Sequence, residues 1–250
     1  MASHHRFDDI TVSDLVAQGS MKWTRNPGHL SAFVAEMDFG TAPVITEALH
    51  AAIDKAQMGY LPPGVKSDMA EATSDYLSSH YGWAIPAEQI YPTADVLSAF
   101  DLVLARFSTP RSAVILPTPA YMPFLTIAPA RGHQVIQVPM IAGPSGRAEM
   151  DLEAIGRAFE AGAEVFILCN PHNPLGRVYS QEELEALAVV VEAHGGLVFS
   201  DEIHAPLTFE GHHHIPYASL SEATANHTLT ATSASKAFNI PGLKCAQLIV

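Results

Sequence analysis

From Ser112 onward, short apolar runs alternate with longer stretches in which apolar residues return at helical spacing. The runs are Ser112–Pro117 (SAVILP), His133–Pro139 (HQVIQVP), Ala163–Cys169 (AEVFILC) and Gly196–Ser200 (GLVFS), followed by Thr228–Thr232 and Cys245–Val250. They read as strands. Helical spacing falls between them at 95–107, 121–131, 151–161 and 181–194, and earlier at Val44–Gln57 and Lys66–Tyr81. A strand, a helix and another strand in succession form a crossover, so the pattern predicts an α/β fold: a three-layer αβα arrangement around a mostly parallel sheet. Residues 1–43 are interrupted by Pro27, Gly28, Gly40 and Pro43 and are expected to be an irregular N-terminal segment, with 44–250 as the large domain.

Composition narrows the range of functions. Hydrophobic residues make up 48% of the 250, enough for a sizeable core. The formal net charge of -13 repels phosphodiester backbones, so nucleic acid is not an expected partner. Two cysteines, Cys169 and Cys245, do not make a disulfide framework and fit a reducing, cytoplasmic setting. No stretch approaches the roughly 20 apolar residues of a membrane span, and the first residues lack a signal-peptide core.

Parallel sheets bind ligands beyond the carboxyl ends of their strands. The loops after Cys169, Ser200 and Thr232 are therefore where chemistry is expected. The first is Asn170-Pro171-His172-Asn173-Pro174-Leu175-Gly176, whose prolines stiffen the turn; a plain turn explains such residues as well as a ligand site does. The second carries Asp201 at the end of an apolar strand, readable as a helix cap or as a carboxylate aimed at a cation. The third is Ser233-Ala234-Ser235-Lys236-Ala237-Phe238-Asn239. Its lysine is either an ordinary solvated residue or an amine tuned for nucleophilic chemistry. The triplet His212-His213-His214, with His204 upstream, lacks the spacing that lets zinc ligands converge, and no metal site is expected.

Taken together, from about Trp23 to Val250, these segments resemble the fold-type-I pyridoxal-5′-phosphate (PLP) enzymes of the class I/II aminotransferase group. Met37-Asp38-Phe39 with Ala42-Pro43, Gly59-Tyr60, Asn170–Gly176, Ser200–His204 and Ser235–Pro241 (SKAFNIP) resemble its cystathionine β-lyase, or cysteine-S-conjugate β-lyase, branch. The resemblance implies a PLP-dependent transferase large domain in which Lys236 bonds the cofactor as a Schiff base and Asp201 pairs with the pyridine nitrogen. It further implies that Asn173 donates to the ring's phenolic oxygen, that Tyr121 stacks on the ring, and that His204 stands where aminotransferases carry tyrosine. Ser233, Lys244 and the amides near Asp95 and Val96 would face the phosphate. Tyr60 would reach the cofactor phosphate of a neighbouring subunit, which makes a homodimer.

Two departures stand out. Asp95 occupies a position where the family usually has a small residue, and Lys244 one where aminotransferases often have arginine. Relatives also run well beyond 250 residues. The C-terminal small domain, with the arginine that clamps the substrate carboxylate, is therefore expected to be absent from this chain. The implied activity is carbon–sulfur β-lysis of cystathionine or a related amino acid to a thiol, pyruvate and ammonia. An aminotransferase, or a catalytically silent protein that keeps the fold, are the alternatives.

Overall fold

The computed structural model describes residues 7–144 and 146–250; the first six residues of the expected N-terminal segment, and Ser145, lie outside it. The chain divides into two compact units. One comprises the residues up to Tyr60 together with Ala234–Leu243, and the other comprises Leu61–Ser233 with Lys244–Val250.

In the first unit, α1 (Val12–Gln18) opens on a capping box between Thr11 and Asp14 and closes on Gly19 in the left-handed region. α2 (Met21–Thr24) and α3 (Pro43–Asp54) follow. The expectation of an irregular segment before residue 44 therefore missed two short helices, because neither is long enough to show a period. Pro43 begins α3 at the position where a missing N–H costs nothing. None of the residues of α3 is buried.

The second unit holds the sheet. Its elements in chain order are α4 (Pro63–Tyr81), β1 (Ile90–Thr93), α5 (Val96–Phe107), β2 (Ala113–Thr118), α6 (Phe124–Ala130), β3 (Gln134–Pro139), β4 (Ile141–Ala142), β5 (Ala148–Glu149), α7 (Leu152–Glu160), β6 (Ala163–Cys169), α8 (Gln181–His194), β7 (Leu197–Asp201), α9 (Glu222–Asn226), β8 (Thr228–Thr232) and β9 (Ala246–Ile249). Seven strands run in the order β1-β9-β8-β7-β6-β2-β3, while β4 and β5 form a separate two-stranded ribbon. β2, β3, β6, β7 and β8 are mutually parallel, and β9 is antiparallel to both β8 and β1.

Alternate residues of the strands feed two cores. Ala113, Ile115, Phe166, Leu168 and Val198 pack with Ile155 and Phe159 of α7 and Leu184, Leu187 and Val191 of α8. Val114, Leu116, Val165, Ile167 and Phe199 pack on the opposite face with Phe100, Val103 and Leu104 of α5 and Phe124 of α6. The layers are thus α, β, α, as expected. The mostly parallel sheet was legible because both faces are apolar. The direction of β9 was not, since period-2 and continuous apolar runs look alike in either direction. β1 escaped notice because it is short and contains Pro92, which an edge strand tolerates.

Local chemistry sets the helix limits. Asp95, Asp151 and Ser180 cap α5, α7 and α8, each accepting a backbone N–H of the first turn. The Gly195-Gly196 pair ends α8 for two reasons. Gly195 takes φ 61°, and a Cβ on Gly196 would meet the Phe159 ring at 2.4 Å. No described helix is long and apolar enough to cross a membrane.

Candidate active site at the carboxyl edge of the sheet

The parallel strands end on one edge of the sheet, and β9, running the other way, begins there. The register sets Cys169 beside Asp201 and Asp201 beside Ala231, with Thr93 opposite Ala246. The carboxyl ends of β2, β6, β7 and β8 therefore lie along one edge, and three of them, those of β6, β7 and β8, are the strand ends singled out from the sequence.

Asp201 is 4% exposed, and one of its oxygens accepts the Ile203 N–H at 3.2 Å. Its charge is felt by its neighbours. Burial pushes the Cys169 thiol well above its ordinary range, and the Asp201 carboxylate pushes it further. The Tyr121 phenol is raised first by burial, then by Asp201 and Asp95, with Lys244 opposing. Tyr121 lies edge-on to Phe124, ring centroids 6.0 Å apart, and keeps 39% of its surface exposed. The expected helix over 121–131 begins only at Phe124, which leaves Tyr121 in the turn between β2 and α6.

The β6 loop is tied down by groups that sequence reasoning passed over. Asn170 is fully buried; its amide oxygen accepts the Tyr179 N–H at 3.2 Å and its nitrogen donates to Ile215 O at 3.4 Å. His172 is buried, with Nε2 2.9 Å from Pro119 O and Nδ1 2.8 Å from the Tyr179 hydroxyl. A carbonyl only accepts, so Nε2 donates; burial disfavours the charged ring, so Nδ1 accepts from the Tyr179 hydroxyl and the ring is neutral. His172 thus joins the β2 loop to the β6 loop. Asn173, which these bonds bring to the edge, donates its backbone N–H to Cys169 Sγ at 3.5 Å, and its side-chain amide has no partner among the described residues.

The acid after Asp201 is also built in. Glu202 is 2% exposed and accepts from Ser200 Oγ at 2.8 Å, Tyr217 N at 3.1 Å and His214 Nε2 at 2.9 Å. His214 is therefore the structural member of the histidine triplet, while His212 and His213 are exposed. No group of three or more His, Cys, Asp or Glu among the described residues could hold a metal ion. The only sequence signal for this network was an apolar-flanked His-Ile-Pro after a polar tract.

At the β1–β9 end, Asp95 caps α5 by accepting from Ser98 N and Ser98 Oγ, both at 2.8 Å, and its other oxygen receives Lys244 Nζ at 2.9 Å. Burial works against the Asp95 anion, but the Lys244 and Ser98 bonds outweigh it and hold the carboxyl below its ordinary range. The same bond raises Lys244. The backbone amide of Val96 opens α5. Ser233 is buried and its hydroxyl donates to Cys245 O at 2.7 Å. His204 is partly buried beyond β7.

Lys236 and Tyr60 belong to the other compact unit. Lys236 is half-buried, and its amine has no hydrogen bond or ion pair among the described residues. Tyr60 is fully exposed.

The neutral His172 makes stability depend on pH. Burial, with Arg177 adding to it, lowers its pKa below the ordinary 6.5, against a Pro119 bond that acts the other way. Below that value the unfolded chain binds a proton that the folded chain does not. This share of stability is complete above 6.5 and is lost as pH falls through the folded value. In urea titrations from about pH 7.5 to about pH 5.5, wild type should lose stability on acidification more steeply than His172→Gln. The slope should shrink without vanishing, because burial depresses His227 too. Equal slopes would contradict the assignment.

The sequence profile described as Aminotransferase class I and II matches residues 34–250. A Cystathionine beta-lyase of Corynebacterium glutamicum is 37% identical over 244 residues, 97% of this chain and 63% of that protein. Cystathionine beta-lyase PatB of Bacillus subtilis (strain 168) is 34% identical over 238 residues, covering 92% of this chain and 61% of its own. Among solved structures, the PLP-bound C-S lyase from Staphylococcus hominis superposes with a TM-score of 0.87 at 28% identity, over 98% of this chain and 63% of that one. This chain therefore spans less than two thirds of the length of these relatives. On the profile match and the two lyases together, the chain belongs to the class I and II aminotransferase family.

Proposed function

We propose that this chain is the PLP-binding portion of a carbon–sulfur β-lyase acting on cystathionine or a related cysteine S-conjugate. The observation that carries the reading is a buried carboxylate, Asp201, at the ligand-binding edge of the sheet, in a chain whose relatives include proteins called cystathionine beta-lyase. The residues present fit PLP in three respects. Asp201 offers a fixed anion to a protonated ring nitrogen, and among the described residues the Asn173 amide has a donor to spare and the Lys236 amine is uncommitted.

On this reading Lys236 would supply the amine for the cofactor's aldehyde carbon, and Asp201 would keep the pyridine nitrogen protonated. Bound PLP supplies an electron sink for the pair left when the substrate's Cα proton is removed. Tyr121 would stack on the ring, Asn173 would donate to its phenolic oxygen, and His204 would flank it. Ser233, Lys244 and the amides at Asp95 and Val96 would hold the phosphate, where the start of α5 favours an anion. The Lys236 amine would take the substrate's Cα proton as general base. Loss of the β-thiolate from the substrate, followed by hydrolysis, gives a thiol, pyruvate and ammonia.

A transaminase uses the same groups, with Lys236 returning the proton to a different carbon. PLP-loaded chain supplied with cystathionine should therefore release pyruvate without any added 2-oxo acid, and Lys236→Ala should lower that rate by about 10²-fold or more. Pyruvate that appears only when a 2-oxo acid is present would replace the lyase reading with the transaminase one. A wild-type chain that stays colourless with PLP would leave neither.

We further propose that the protein works in the cytoplasm, as its two free thiols suggest, and as a homodimer. α3 supports the dimer: it buries none of its residues, while Val44 is 70% and Ile53 60% exposed, followed by Met58 at 69% and a fully exposed Tyr60. A short helix this unprotected gains its stability by packing. Sedimentation equilibrium should give twice the chain mass, and Ile53→Glu should shift it toward the chain mass. A wild-type monomer throughout the micromolar range would contradict the dimer.

A further inference from the structure

The residue that closes the lysine turn is Asn239, at φ +54°. Asparagine tolerates the left-handed region better than other residues with a Cβ, so a plain turn role is the simplest explanation. Its side chain does more. Oδ1 accepts the Met37 N–H at 2.9 Å, and Nδ2 donates to Met37 O at 3.1 Å and to Gly40 O at 3.0 Å. The amide pairs with Met37 as a peptide group on a neighbouring strand would, across a sequence separation of 202 residues.

The segment it grips is held from its other side as well. Lys22 Nζ donates to Glu36 O at 3.1 Å and to Asp38 Oδ2 at 2.8 Å, the Lys22 N–H reaches Glu36 Oε2 at 3.1 Å, and Trp23 Nε1 donates to Asp38 Oδ1 at 2.7 Å. The Lys22 and Trp23 bonds keep Asp38 ionised against the cost of its burial. On the lysine side, Phe238 N bonds Ala234 O at 3.0 Å and Ile240 N bonds Ser235 O at 2.9 Å, so the turn that carries Lys236 is itself closed. The strap Glu36–Gly40 and the turn Ala234–Ile240 are thereby one hydrogen-bonded body, and Asn239 is the joint.

We infer that Asn239 is a positioning residue for Lys236: by fastening the turn to the strap, it fixes the backbone from which the amine projects. The inference rests on the reading of Lys236 as the lysine that bonds PLP. An amine that must reach both an aldehyde carbon and a Cα proton gains from such fixing, since small misplacements of a reacting group cost large factors in rate.

Asn239→Gly separates the joint from the turn, because glycine keeps the positive φ and removes all three side-chain bonds. The variant should fold and take up PLP. Its kcat for cystathionine should fall about tenfold to a hundredfold with little change in KM, and the pH midpoint of its visible band should move. Amide exchange at Met37 should quicken even without cofactor. Asn239→Asp, which keeps the acceptor but sets an oxygen against two carbonyls, should also lose rate. A coloured wild type beside an Asn239→Gly variant with unchanged kcat and band midpoint overturns the inference alone. A wild type that never binds PLP removes the reading of Lys236, and the inference with it. If the glycine variant does not fold, Trp23→Phe loosens the strap from its far side. The same shift, in smaller measure, is then expected, and an unchanged kcat and midpoint overturn the inference.

Discussion

A buried polar group without a partner costs on the order of kilocalories, and the carboxyl edge of this sheet is arranged around that constraint. The strands there deliver Asp201, Glu202, Asn170 and His172 into positions 4% exposed or less. Asn170 is held by Tyr179 and Ile215, His172 by Pro119 and Tyr179, Glu202 by Ser200, Tyr217 and His214, and Asp201 takes the Ile203 N–H. Their role is to stitch neighbouring loops together. The loops that carry the proposed cofactor-binding groups are made rigid by this stitching.

Magnitude separates the fixed polar pairs from the adaptable ones. Glu202–His214 is a buried hydrogen bond, and leaving a buried polar group without its partner typically costs about 1–3 kcal/mol, so that pair is scaffold. The Lys244–Asp95 pair is exposed, 65% and 37%, and pairs of this kind are worth about 0–1 kcal/mol. On the proposed reading, Lys244 can leave Asp95 for a cofactor phosphate at little cost, and an acid at this position is no obstacle: Asp95 points one oxygen at its own helix and lends the other to the cation that the phosphate would recruit.

Much of this was legible in the chain. Continuous apolar runs such as AEVFILC read as buried parallel strands because each of their faces meets a helix layer, and the strand-end rule then singled out the loops after β6, β7 and β8. Lys236, Asp201 and Asn173 drew attention through residue type and order. Partners formed over long sequence separations were not legible. Nothing local in Asn239 announces Met37, and nothing in His214 announces Glu202, because such pairs exist only once the sheet order is set. Strand direction at β9 and the short, proline-bearing β1 escaped for a related reason: their identity comes from the strands they pair with, not from their own periodicity.

The proposed role of Lys236 as the amine that bonds PLP can be tested directly. The chain is incubated with PLP, reduced with borohydride, digested, and the modified peptide sequenced by mass spectrometry. The reduced pyridoxyl group should appear on the peptide spanning Ser235-Lys236-Ala237, at one site per chain. Label on Lys244 or another lysine, or no label at all, would contradict it.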